Sequence, residues 1–262
     1  MKHDFSICYS GGDSKSDGDP LELPLLLFIC FGFFASLVSA VFGFGTALLM
    51  LAVGSYILPV KEAIALATVL FCTSTVSKTL LFRQHIDWRL AATMAITGLP
   101  FSYIGASLVA HLPTELLKCS LGLMILLYIV VSKFKAPASV KPITMFSTLG
   151  LLAGSALYGM LSGLLGSGNI IKVVFFREMK LSRECFVGTM AATAVPGNIA
   201  KLTAYTKAGL LSRDHIPTVI GLIASALLAA MVGRELLHSI SAKYFESGVR
   251  LLLIVSAFGL LL

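Results

Sequence analysis

The chain has 262 residues, of which 57% are hydrophobic and only 13% charged, and its formal net charge is +7. A soluble domain needs roughly 25% charged residues to cover its surface, so the composition argues against a water-exposed globule, a disordered chain and a disulfide-rich secreted module. The positive charge does not describe a nucleic-acid groove either, because the lysines and arginines stand between long apolar runs, as they do in loops at a membrane face.

Residues 1–20 are polar, with Asp13, Lys15, Asp17 and Asp19. A secretory signal needs a basic stretch followed at once by an apolar core, so this segment reads as a polar N-terminal tail. Ten apolar pieces follow, at roughly 21–42, 43–59, 61–82, 89–110, 114–132, 143–165, 169–177, 184–206, 214–233 and 247–262. A spanning helix needs about 20 apolar residues, so the seventh piece, interrupted by Lys172, is too short to span. Only Gly43 and Gly45 separate the first two pieces. Residues 133–142 carry Lys133, Lys135, Pro137, Lys141 and Pro142 and read as a linker. The expected organisation is therefore a tail (1–20), a first membrane repeat (21–132), a cytoplasmic linker (133–142) and a second membrane repeat (143–262). The five cysteines, Cys8, Cys30, Cys72, Cys119 and Cys185, have no CxxC spacing and are read as small buried apolar residues.

The halves match. Gly43 corresponds to Gly166, Glu62 to Glu184, Lys78 to Lys201 and Phe82 to Tyr205, at offsets of 122 or 123 residues. With five full or partial crossings per half, ten Lys and Arg residues, from Arg83 to Lys243, fall on one side and six on the other. If the second and seventh pieces dip in and return, the split is nine against seven. The first arrangement better obeys the positive-inside rule. It puts the linker in the cytoplasm and both termini outside, and it inverts one half relative to the other, as in many secondary transporters. The expected fold class is an all-α integral membrane protein made of two inverted repeats of about five helical segments each. Its helices would be broken or re-entrant at the glycine pairs.

Gly43-Phe44-Gly45-Thr46 and Gly166-Ser167-Gly168-Asn169 occupy equivalent places. Two glycines one residue apart let the backbone leave the helix. In lipid a broken backbone is tolerated only where it is buried or lines a cavity. A helix restarting there would point its positive dipole end at an anion, with Thr46, Ser167 and Asn169 as further donors. The alternative is close helix packing through small residues. Lys78 and Lys201 lie inside apolar runs with no carboxylate nearby in sequence, so an anionic substrate is a candidate partner. The alternative is snorkelling to the interface. Ser77 and Asn198 join the candidate site, and Thr73, Ser74, Thr75, Thr193 and Thr203 surround it. Pro196-Gly197 permits a kink. Lys172 follows Asn169 by three residues and could screen the same cavity. His85 and His215 are candidate proton relays. The sequence shows no Walker motif or dinucleotide fingerprint, so no cofactor is expected, and the histidines have no metal-ligand spacing.

The glycine-containing break, Lys61-Glu62-Ala63, His85-Ile86-Asp87-Trp88-Arg89, Phe186-Val187-Gly188-Thr189 and the run Asn198, Lys201, Tyr205, Gly209 together resemble the TauE/SafE sulfite exporter family over roughly residues 25–262. The resemblance implies an inner-membrane permease for sulfur-containing or related organic anions, such as sulfite, sulfoacetate or other sulfonates. Members often carry longer glycine runs at the first break, where this chain has only Gly43 and Gly45. The function expected is a secondary transporter, in the exporting direction, whose partners are a small anionic substrate and the lipid bilayer, with no nucleic acid. A homo-oligomer is left open. The competing readings are an intramembrane serine hydrolase using Ser167 and a membrane subunit without transport activity.

Overall fold

The structure is a computed structural model that describes residues 22–42, 45–133, 148–169, 171–172, 176 and 181–236. The N-terminal tail, Gly43, most of the linker and the tenth apolar piece lie outside the described residues. Nine α-helices can be bounded among the described residues, which contain no strand. They are α1 (Glu22–Phe42), α2 (Thr46–Ile57), α3 (Val60–Leu81), α4 (Trp88–Val109), α5 (Thr114–Lys133), α6 (Thr148–Leu165), α7 (Arg183–Ala192), α8 (Val195–Lys207) and α9 (Ile216–Leu236). Helices are the physical solution for such apolar runs, because they satisfy every backbone group internally where lipid offers no partner. Among the described residues four segments are long and apolar enough to cross a membrane: Leu23–Val41, Val60–Leu81, Trp88–Val109 and Arg213–Leu236.

Local chemistry sets the helix ends. Asp87 caps α4 by accepting from the Leu90 N–H at 3.0 Å. Ser182 caps α7 by accepting from the Cys185 N–H at 3.3 Å. The kink permitted by Pro196 is a full break at Thr193–Ala194, so the eighth apolar piece forms two helices while its counterpart α3 is continuous. Proline lacks an N–H and is tolerated only in a first helical turn; Pro196 stands in the first turn of α8. The ends keep the repeat register: α1 stops at Phe42 and α6 at Leu165, and α3 begins at Val60 and α7 at Arg183, each pair 123 residues apart.

Close contacts fix the helix directions. Gly45 approaches Val38 and Gly54 approaches Phe28, so α2 folds back along α1. At 12 residues, α2 is about 18 Å long, against a hydrocarbon core of about 30 Å, so it crosses only partly. Gly32 against Leu70 and Lys78 against Ser39 make α3 parallel to α1. Gly221 against Ile29 and Gly233 against Ala40 make α9 parallel to α1 as well. In the equivalent pair, Gly98 meets Ser155 and Gly105 meets Gly163, so α4 is parallel to α6. A Cβ on Gly159 would run into the Gly98 carbonyl oxygen, which shows how tightly small residues bring these backbones together. Finally, α3 runs antiparallel to α7 and α8: Thr75 touches Asn198, and Phe82 packs on Gly188.

Two of the cysteines depart from expectation. Cys30 and Cys119 are exposed on outward faces, and Cys72 and Cys185 are half-buried. In a membrane protein an outward apolar face meets lipid, so a small apolar side chain is at home there without core packing.

Candidate functional site

At Asn198 the two halves meet. Its Nδ2 donates to Thr75 Oγ1 at 3.1 Å and to the Phe71 carbonyl at 3.3 Å. Thr75 and Asn198 are themselves 123 residues apart, so each is the other's counterpart in the repeat register.

Around this contact lies a cavity whose wall repeats in the same register. Ser39 and Ser162, Thr46 and Asn169, Phe71 and Ala194, and Thr75 and Asn198 all line it, and the members of each pair are 123 residues apart. Lys78 also lines the cavity. It is 2% exposed, and its Nζ donates to Ser39 Oγ at 2.7 Å. Lys201 is 1% exposed, and its Nζ donates to Ser162 Oγ at 3.2 Å and to the Gly166 carbonyl at 3.0 Å. Each lysine thus reaches a serine 39 residues earlier in the chain. Both side chains turn inward rather than snorkelling.

The glycine breaks deliver the remaining polar groups. Gly45 has φ 110° and Gly166 has φ 73°, left-handed values that a side chain rarely tolerates. After Gly45, α2 starts at buried Thr46, whose first-turn N–H groups have no acceptor within the helix. After Gly166 the chain presents Ser167, whose buried Oγ has no partner among the described residues. Asn169 is half-buried in the cavity wall. Gly168 has a packing role: a Cβ there would meet the Tyr158 carbonyl at 2.5 Å. Gly43 lies outside the described residues. Ser77 stays out of the cavity wall; its Oγ donates to the Thr73 carbonyl within α3 at 2.8 Å.

A third buried ammonium belongs to Lys172, 0% exposed. Its Nζ donates to the Met190 carbonyl at 3.1 Å and to Thr193 Oγ1 at 3.0 Å, and sits 4.2 Å from the centre of the Tyr158 ring. The helix break explains the first contact. The Ala194 N–H turns to the Ala191 carbonyl, so the Met190 carbonyl at the negative end of α7 accepts instead from Thr193 Oγ1 at 2.9 Å and from Lys172. Among the described residues the ion pairs are Lys118–Glu115 and His215–Glu62, so none of the three buried lysines has a carboxylate partner there. His215 Nε2 lies 2.9 Å from Glu62 Oε1 at the helix ends, away from the cavity. His85 is exposed, and His238 lies outside the described residues.

Sequence reasoning did not single out Ser39, Ser162, Tyr158 or Phe71. The repeat carried the signal for the serines, since each begins a matched glycine motif and stands at the same spacing from its lysine. Tyr158 and Phe71 lie in apolar runs like many other aromatics, and no local pattern marks them.

The family model described as Sulfite exporter TauE/SafE matches residues 28–260. A protein of Methanocaldococcus jannaschii described as "Probable membrane transporter protein" is 26% identical over 248 residues, covering 86% of this chain and 90% of its own length. No solved structure matches.

Proposed function

Since the chain belongs to the sulfite exporter TauE/SafE family and is a membrane transporter rather than an enzyme, we propose that it exports small sulfur-containing or organic oxyanions, such as sulfite or organosulfonates, by alternating access. The observation that carries this reading is the pair of buried lysine–serine contacts flanking one cavity, with no carboxylate beside either lysine among the described residues. Isolated ammonium groups out of water are costly and call for a counter-charge. A transient anion supplies it. The N–H groups that open α2 and Ser167 would complete its hydrogen bonds, while Asn198 spends its two amide donors on Thr75 and Phe71 and holds the wall in place.

The transport cycle follows from the two halves. We read residues 21–132 and 143–262 as inverted repeats. The antiparallel course of α3 against α7 and α8, meeting at Thr75–Asn198, supports this, as does the swapped pairing of α1 with α9 and α4 with α6. Rocking of one half against the other would expose the cavity to each side in turn. Charge bias in the loops favours a cytoplasmic linker, outer termini and the inner membrane of a bacterial-type cell. An inside-negative potential drives anion efflux, at about 2.3 kcal/mol per charge per 100 mV.

The test is efflux from proteoliposomes loaded with sulfite, sulfate, thiosulfate, sulfoacetate or acetate under an imposed inside-negative potential. Protein-dependent efflux of at least one sulfur oxyanion is expected. Efflux indistinguishable from empty liposomes for all of them would overturn the reading.

A further inference from the structure

The repeat makes the two lysines equivalent, but their surroundings differ. Lys78 and Lys201 each stand three residues beyond the Thr75–Asn198 contact, on helices of opposite direction. A rise of about 1.5 Å per residue displaces the two positions by about 4.5 Å along their axes, toward opposite faces of the molecule. Lys78 is part of the cavity wall, whereas Lys201 is not. Phe71 lines the cavity and holds its ring centre 5.8 Å from the Lys201 Nζ. At the counterpart position the chain carries Ala194, which has no ring, and Lys78 lines the cavity directly.

Among the described residues Ser39 Oγ accepts from Lys78, and Ser162 Oγ and the Gly166 carbonyl accept from Lys201. The counterpart of Gly166 is Gly43, which lies outside the described residues. What distinguishes the two ammonium groups is therefore Phe71 on one side against Ala194 on the other.

From this geometry we infer that the chamber is two successive anion half-sites, one at Lys78 and one at Lys201, and that Phe71 is the gate between them. The inference rests on the anion reading above. With the ring in place, an anion in the cavity meets Lys78 and is shielded from Lys201. Swinging the ring aside exposes Lys201, and the anion can step across the Thr75–Asn198 contact. The small side chain at Ala194 makes the barrier one-sided, so the two ends of the path are unequal although the backbone repeats.

The experiment measures access at the two positions. Lys78→Cys and Lys201→Cys are made separately on a background with the native cysteines replaced by serine, and the full chain is reacted with the anionic thiol reagent sulfonatoethyl methanethiosulfonate. With Phe71 present, the thiol at 78 should react faster than the thiol at 201. Phe71→Ala should raise the rate at 201 about tenfold, the scale of losing the steric cover of the ring, and leave the rate at 78 unchanged. Ala194→Phe should slow the reaction at 78. Phe71 is core-packed, so Phe71→Leu serves as the second variant, keeping apolar bulk without the ring. Equal rates at 78 and 201 with Phe71 present, or an unchanged rate at 201 in the Phe71 variants that fold, would overturn the gate. These rates do not depend on which anion is carried, so failure of sulfite efflux, which strikes the transport reading, remains separately visible.

Discussion

Replacing Lys78 by glutamine isolates the charge that faces the cavity. The ammonium donates to Ser39 at 2.7 Å and lines the cavity, where it can also donate to a ligand. An anion drawn to about 4 Å from it, at an effective dielectric constant of about 20, gains roughly 4 kcal/mol. At about 1.4 kcal/mol per decade, losing that attraction weakens binding roughly thousandfold. Glutamine keeps a donor of similar reach, and Lys78→Arg keeps the charge, so the pair separates charge from shape. The fold should survive, because no described carboxylate is stranded when the ammonium goes. The assay is calorimetric titration of purified protein with sulfite, together with its melting temperature. Lys78→Gln should melt as the parent does and bind sulfite far more weakly, while Lys78→Arg should retain binding. A dissociation constant for the folded Lys78→Gln protein within about threefold of the parent, well under one decade of affinity, would refute the argument.

Two further substitutions test the packing that holds the site. Gly159→Ala places a methyl group on the Gly98 carbonyl oxygen in the α4–α6 contact, so it should lower stability by about 1–3 kcal/mol, read as a reduced melting temperature in detergent; an unchanged value would show that α6 can move away freely. Tyr205→Phe removes the hydroxyl that donates to the Gly163 carbonyl at 2.7 Å, near the end of α6 where intrahelical donors run out, and should cost about 1–3 kcal/mol by the same measurement, whereas Phe82→Tyr at the counterpart position should bring no matching gain.

The membrane class and the helical pieces were legible because lipid leaves the backbone only one local solution, and runs from Leu23 to Val41 or from Val60 to Leu81 announce it directly. The lysine pair was legible for a related reason: an ammonium in an apolar run is conspicuous, and its repetition 123 residues later is not local noise. What the sequence left open was direction. Whether Lys78 snorkels or turns inward depends on a rotamer and on Ser39, a whole helix away. Lys172 was visible as a charge in a short piece, but its tie to the Met190 carbonyl depends on how the chain bends at Thr193–Ala194, a tertiary event that Pro196 permits without dictating. Ser77 misled because adjacency to Lys78 in sequence turns it to another face of the helix, where it bonds its own backbone.

Near-symmetry and its violations have separate physical roles here. Matched pairs such as Ser39 with Ser162 and Thr46 with Asn169 place polar groups on both sides of one contact, so the anion proposed above would meet related chemistry on either side. Perfect symmetry would make the two sides energetically alike and leave a cycle no built-in preference. The chain departs from it at a few places, and three of them touch the lysines. Phe71 stands opposite Ala194, Lys172 has Leu49 as its counterpart, and the continuous α3 faces a broken α7–α8. Each adds something to one side only: a ring near one ammonium, an extra buried cation, or a carbonyl that the helix break releases to that cation and to Thr193. A ligand can shift a two-state equilibrium only by its differential affinity for the two states. The unequal half-sites proposed above would be a physical source of that difference in a molecule whose backbone alone would supply little.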